Sequence, residues 1–143
     1  MTDIDLITRH FGAFDPLTAM RDMWLDGLNY TVRFYASCSK SNKQYDEAYA
    51  EKKYHANGII KKETVYINEK KHGIEKEYDQ KGQLIKETPY KNHKKTGIQK
   101  IYRHGKLLLE IPYVNNKKYG LMKGHYSHNK TSVISYLNGQ RVG

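Results

Sequence analysis

With 143 residues, of which 28% are charged and 12% aromatic, the chain is one domain with a modest core and a formal charge of +10. A single cysteine, Cys38, excludes an internal disulfide and fits a reducing compartment. No apolar run approaches the length of a membrane span.

The opening residues, MTDIDLITRHF, are acidic and amphipathic. They lack the basic start and continuous apolar core of a secretion signal, so a soluble cytoplasmic protein is expected. Residues 1–28 read as two short helices. Thr2 caps the first, with Ile4, Ile7 and Phe11 on one face, and Gly12 ends it. Asp15 caps the second, Pro16 takes its first helical position, Leu17, Met20 and Trp24 line one face, and Gly27 stops it. These helices are expected to cover one end of a repeat array. The competing reading makes Met20, Met23 and Trp24 a partner-binding face. Residues 29–37, NYTVRFYAS, alternate as a strand, with Tyr30, Val32 and Phe34 on one side. A polar loop follows over 37–43. Residues 44–54, QYDEAYAEKKY, fit a helix loosely, and the preferred reading is a degenerate first hairpin.

From Tyr54 the chain repeats. Tyr54, Tyr78, Tyr102 and Tyr126 open four units, each 24 residues after the last. Tyr66, Tyr90, Tyr113 and Tyr136 follow at intervals of 24, 23 and 23, and the closing glycines Gly73, Gly97, Gly120 and Gly143 keep the same intervals. Three columns in register over four units establish a repeat architecture. Each unit reads as a short strand such as Ile74–Tyr78, a turn carrying Gly58, Gly82 or Gly105, and a longer strand such as Leu84–Tyr90. A lysine-rich loop then leads into the next unit. Period-two alternation places Ile60 with Tyr66, Leu84 with Tyr90, Leu107, Leu109 and Ile111 with Tyr113, and Ile134 with Tyr136 on one face. Pro89 and Pro112 fall at matching places near the strand end, where a missing donor is tolerated.

The expected fold is therefore mainly β: a single antiparallel meander sheet of repeated hairpins with a short N-terminal helical cap. Residues 1–53 would supply the cap and a degenerate hairpin, and residues 54–143 the repeats. The charge follows this division. Residues 1–53 hold seven Lys/Arg against eight Asp/Glu, and residues 54–143 hold eighteen against seven. The repeat sheet is the basic surface, and it would attract nucleic acid, anionic lipid or an acidic protein.

The segments Gly73-Ile-Glu-Lys-Glu-Tyr78, Lys81-Gly82-Gln83-Leu84 and Glu87-Thr88-Pro89-Tyr90, each followed by a lysine-rich turn, resemble MORN repeats. The closer resemblance is to the bacterial YwqK-type variant, the "toxin–antitoxin system antitoxin component" proteins, over about residues 54–143. It implies a non-enzymatic repeat sheet used for binding. Two features depart from the pattern. The turn glycine of the lysine-rich loop is Asn or His in most units, apart from Gly139, and the step from Gly120 to Tyr126 is one residue longer.

The most distinctive constellation is a row of lysines. Lys70-Lys71, Lys94-Lys95 and Lys117-Lys118 occupy one place in successive loops, and Gln140-Arg141 is the fourth. Two strands per unit would set neighbouring pairs about 10 Å apart. The row reads as a binding ridge for phosphates or an acidic surface, or as edge protection against strand pairing. The tyrosine stripe of Tyr66, Tyr90 and Tyr113 reads as a stacking platform or as the packed face of a thin sheet. The seven histidines lack the spacing of a zinc site, and no nucleophile–base pair or phosphate loop is present. No cofactor or metal is expected.

Three partner classes follow. The first is a protein partner of the toxin or defence-enzyme type, up to a ribonucleoprotein, with a phage-encoded inhibitor of a bacterial defence nuclease as its narrowest form. The second is direct RNA or DNA binding through the lysine row and the tyrosines. The third is an anionic membrane. A one-layer sheet also leaves a face for a second copy in a homodimer.

Overall fold

The structure, a computed structural model, describes residues 20–26, 29–36 and 48–143. They form one antiparallel sheet of fourteen strands. Strands β1 (Met20–Asp26), β2 (Asn29–Ala36) and β3 (Ala48–Tyr54) precede the repeats. The first three units contribute β4 (Ile60–Ile67), β5 (Lys70–Lys71), β6 (Gly73–Tyr78), β7 (Leu84–Lys91), β8 (Lys94–Lys95), β9 (Gly97–Arg103) and β10 (Lys106–Val114). The sheet closes with β11 (Lys117–Lys118), β12 (Gly120–Tyr126), β13 (Lys130–Leu137) and β14 (Gln140–Arg141). Its order is sequential, with β5, β8 and β11 paired beside β4, β7 and β10. The expected meander of hairpins is what forms.

The described part of the expected N-terminal helical cap is a strand. The first expected helix, residues 2–12, lies outside the described residues, as does the start of the second. Across Met20–Asp26, however, the chain is a strand, paired from Asp26↔Asn29 to Met20↔Phe34. MRDMWLD carries apolar residues at helical spacing, but the open ladder of β2 supplies partners for every second backbone group. Tertiary context overrides such a weak local preference. Of the expected degenerate hairpin over 44–54, Ala48–Tyr54 form β3, paired with β2 from Tyr30↔Tyr54 to Ala36↔Ala48, and residues 44–47 lie outside the described residues.

The first three repeats carry a device that alternation alone does not show. Tyr78 lies opposite Leu84 and Glu77 opposite Lys86, so Ile85 is an extra residue in the ladder. The same irregularity places Lys61 between Ile60 and Lys62, and Leu108 between Leu107 and Leu109. Such a bulge reverses the facing of everything before it. Leu84 therefore shares a face with Tyr78, and Tyr90 lies on the other. The expected grouping of Ile60, Leu84 and Leu107 with the second tyrosines is thus overturned, while Leu109 and Ile111 do share a face with Tyr113. The fourth unit has no bulge: Gly120↔Tyr136 runs without a shift to Tyr126↔Lys130. The extra residue between Gly120 and Tyr126 lengthens the short strand and makes the bulge unnecessary.

The lysine-rich loops are two-residue turns. Asn68-Glu69, Asn92-His93, Asn115-Asn116 and Asn138-Gly139 all have positive φ at both positions, from 48° to 87°. That is the twist-matched hairpin turn, and asparagine tolerates its left-handed backbone well. Pro89 and Pro112 lie where the long strand faces the kink between the lysine pair and the next short strand. The Pro89 carbonyl accepts the Thr96 N–H at 3.1 Å, and the Pro112 carbonyl accepts that of Tyr119 at 3.0 Å. A proline nitrogen on that side forfeits only a bond the kink already weakens.

The apolar core is small and sits at β3–β4, where Ala48, Tyr49, Ala50 and Val65 are buried, with Ile111 further along. The rest of the buried column is polar. Glu51, Thr64, Glu75, Thr88 and Gln99 succeed one another across the sheet. Thr64 donates to Glu75 at 2.9 Å and Gln99 donates to Thr88 at 2.9 Å. Buried polar groups so paired escape the desolvation penalty of unsatisfied ones.

Candidate partner-binding edge

The two-residue turns line up along one edge of the sheet and are tied to each other. The backbone N–H of His93 donates to the Lys71 carbonyl at 2.9 Å, that of Asn116 to Lys95 at 3.0 Å, and that of Gly139 to Lys118 at 2.8 Å. In return the Lys71 N–H donates to His93 Nδ1 at 3.4 Å and the Lys95 N–H to Asn116 Oδ1 at 2.8 Å. Each turn is thus seated on the lysine pair of the unit before it.

Along this edge the tyrosine stripe and half of the lysine row are one structure. Arg33 lies over the Tyr49 ring at 4.9 Å, and Tyr49 stacks on Tyr66 at 4.9 Å. Tyr66 lies opposite Lys71, whose Nζ sits 4.9 Å from the Tyr90 ring centre. Tyr90 lies opposite Lys95, which sits 5.1 Å from Tyr113. Tyr113 lies opposite Lys118, which sits 4.8 Å from Tyr136, and Tyr136 lies opposite Arg141. Cation and ring alternate from Tyr66 to Arg141, and the Lys71–Tyr90, Lys95–Tyr113 and Lys118–Tyr136 contacts each contribute about 0.5–1 kcal/mol.

The lysine pairs therefore divide. Lys71, Lys95 and Lys118 are half-buried on tyrosine rings, and Lys71 also meets Glu75 at 2.8 Å. Lys70, Lys94 and Lys117 are exposed on the opposite face, and no ion pair or ring contact engages them among the described residues. Lys91 joins this exposed row, directly opposite Lys94. Like charges facing each other across a ladder cost stability rather than add to it. Lys91 is one residue beyond the expected strand Leu84–Tyr90, because β7 runs to Lys91. The matching positions Ile67, Val114 and Leu137 gave no repeat signal for it.

Below the edge, burial sets the ionisation of the rings. It pushes the Tyr66 hydroxyl up to about 12, with Glu51 and Glu75 adding to the effect. Burial also raises Tyr49 and Tyr90. At Glu77 burial pushes the carboxyl upward, but the Lys86 contact at 2.6 Å and the Lys62 charge outweigh it and hold the group low. The tyrosines thus stay neutral and serve as faces for cations.

Residues 50–68 and 71–92 match the family model described as MORN repeat variant. Each matched stretch begins on a short-strand side and ends at a two-residue turn. No curated protein and no solved structure matches the chain. No helix among the described residues is long and apolar enough to cross a membrane, and no group of three or more His, Cys, Asp or Glu there could hold a metal ion. The hairpins of residues 50–92 are thus similar to MORN repeats, and the hairpins that follow continue the same edge.

Proposed function

We propose that this protein is a non-enzymatic binding protein that docks on an acidic face of a macromolecular partner through Lys70, Lys94 and Lys117. The observation that carries the reading is the division of the lysine pairs. One lysine of each pair is spent on a tyrosine ring, and its neighbour is left exposed at the same point of every unit. Edge protection alone would not require a seated, mutually bonded row of turns beneath the free lysines. The row recurs about every 10 Å, the width of two strands. A rigid row of that kind suits an acidic protein surface, since neither partner loses much freedom on docking. The resemblance to YwqK-type antitoxin components makes a toxin or defence-type enzyme the favoured partner class, with a phage-encoded inhibitor of a defence nuclease as its narrowest form. Direct RNA or DNA binding is the second reading. It draws on the charge of the same row and on Lys91.

Affinity purification with and without nuclease separates the two readings. A partner that survives nuclease treatment, and is lost when Lys70, Lys94 and Lys117 become Gln, is the expected result. A partner lost with nuclease alone gives the nucleic-acid reading. Retention by the triple variant would reduce the row to edge protection. Replacement of Lys71, Lys95 and Lys118 by Gln is expected to lower stability, because it strips the rings of their cations.

A further inference from the structure

At the other end of the strands, where the glycine turns lie, the units are not alike. Five residues separate β3 from β4 and β6 from β7, but only two separate β9 from β10 and three separate β12 from β13. The two long loops stack. His55 Nε2 donates to the Tyr78 carbonyl at 3.2 Å, and Asn57 Nδ2 donates to the Gln80 carbonyl at 2.9 Å. The third turn is only His104-Gly105, with φ of 50° and 73°. Where it is cut back, a cleft of about 500 Å³ opens between it and the fourth turn.

Arg103 and Lys106 line one side of this cleft, Tyr126, Ser127 and Asn129 the other, and Leu107 and Leu108 complete it. Residues 88–143 hold eleven Lys/Arg and a single carboxylate, Glu110. That carboxylate already accepts from His125 Nε2 at 3.0 Å. Among the described residues neither Arg103 nor Lys106 makes an ion pair. The Tyr126 ring beside them is 57% exposed.

We propose that this cleft binds a nucleoside monophosphate unit. Arg103 and Lys106 would take the phosphate, with the Ser127 hydroxyl as a further donor. The exposed Tyr126 ring offers a flat apolar face for the base. The volume falls within the roughly 300–1,000 Å³ of small-ligand sites. The cleft lies at the far end of the long strands from the lysine row, roughly 25 Å away at about 3.3 Å per residue. It therefore stands independently of the docking edge.

Titration calorimetry of the full chain with adenosine 5′-monophosphate, adenosine and inorganic phosphate tests the site. A second arm compares a trinucleotide bearing a 5′-phosphate with its 5′-hydroxyl form. It distinguishes a free nucleotide from the end of a strand, and binding in either phosphorylated arm supports the site. The nucleotide unit is expected to bind at least about tenfold more tightly than phosphate or adenosine alone, and Arg103→Gln with Lys106→Gln to weaken it at least about tenfold. Tyr126→Leu should cost less, and the Lys70, Lys94 and Lys117 to Gln variant nothing. Absence of binding in both phosphorylated arms overturns the proposal. So does binding no tighter than that of inorganic phosphate, or binding that survives loss of Arg103 and Lys106.

Discussion

Adjacent lysines in one turn perform different tasks because a strand turns successive side chains to opposite faces. Lys71 points to the tyrosine side, where it meets Tyr90 at 4.9 Å and Glu75 at 2.8 Å. Lys70 points away and stays exposed. The anchor of this arrangement is Glu75, which is only 5% exposed and also accepts from Thr64 at 2.9 Å. Lys62 lies 3.6 Å from its other oxygen. Removing the carboxylate leaves the Thr64 hydroxyl and the Lys71 ammonium without their acceptor in a place that water reaches poorly. Glu75→Ala is therefore expected to destabilise the protein by about 1–3 kcal/mol, read from the urea midpoint. Glu87→Ala is the comparison. Glu87 is less buried, and its Tyr102 contact is long at 3.4 Å. Equal losses for the two variants would show that Glu75 is not an anchor.

At the scale of the element, the repeat works by pairing one irregular feature with another. In the second and third units the kink after the lysine pair brings a glycine of positive φ against the proline of the preceding long strand. A Cβ on Gly97, at φ +117°, would lie 3.0 Å from the Pro89 ring, whereas one on Gly105, at φ +73°, would meet nothing within 4 Å. Both positions disfavour a side chain through backbone conformation, but only Gly97 adds a collision with a ring that cannot swing away. Gly105→Ala should cost about 1 kcal/mol, and Gly97→Ala clearly more. Thermal melts of the two variants compare them directly, and a larger loss at Gly105 would refute the close approach. The two glycines also mark how far the sequence was legible. Their columns announce the units, because a turn that needs positive φ leaves a residue-type signature. The bulges at Lys61, Ile85 and Leu108 leave none, since the extra residue needs no special side chain, and so alternation alone puts Ile60, Leu84 and Leu107 on the wrong face. The strand at Met20–Asp26 was hidden by a capping signal at Asp15-Pro16 and a pattern that suits both periods. The lysine row and the tyrosine stripe were each visible, but their interleaving depends on the two-residue turns, which fold Lys71 back beside Tyr66.

Across the whole molecule, the charges of the repeats are organised by face. On the face away from the second tyrosines, Lys52, Glu63, Lys76, Glu87, Lys100, Glu110 and Lys123 follow one another strand by strand. The recurring glutamates thus balance the short-strand lysines, and excess positive charge is displaced to the two sets of turns. The other face depends on neutral tyrosines, and this gives stability a dependence on pH at both extremes. Tyr49, Tyr66 and Tyr90 on that face are raised by burial above the ordinary tyrosine value of 10.0, as is Tyr102 on the face of the alternating lysines and glutamates. A raised folded-state value means that the unfolded chain releases its proton first as the pH climbs. The contribution of these rings is complete below pH 10 and falls as the pH rises through their raised values, that of Tyr66 being lost by about 12, where it ionises. Glu77 runs the other way. Its folded value lies below the ordinary 4.5, so its contribution holds above that pH and fades below it. The urea midpoint should therefore fall on both sides of a broad plateau, and the alkaline fall should shrink in Tyr66→Phe. A midpoint unchanged between pH 10 and 12, or an alkaline fall of the same size in Tyr66→Phe, would remove burial of neutral tyrosine as a support of this sheet. Net charge alone cannot produce that alkaline fall. Raising the pH discharges lysines and reduces the +10 excess, so self-repulsion weakens just where the tyrosines withdraw their support.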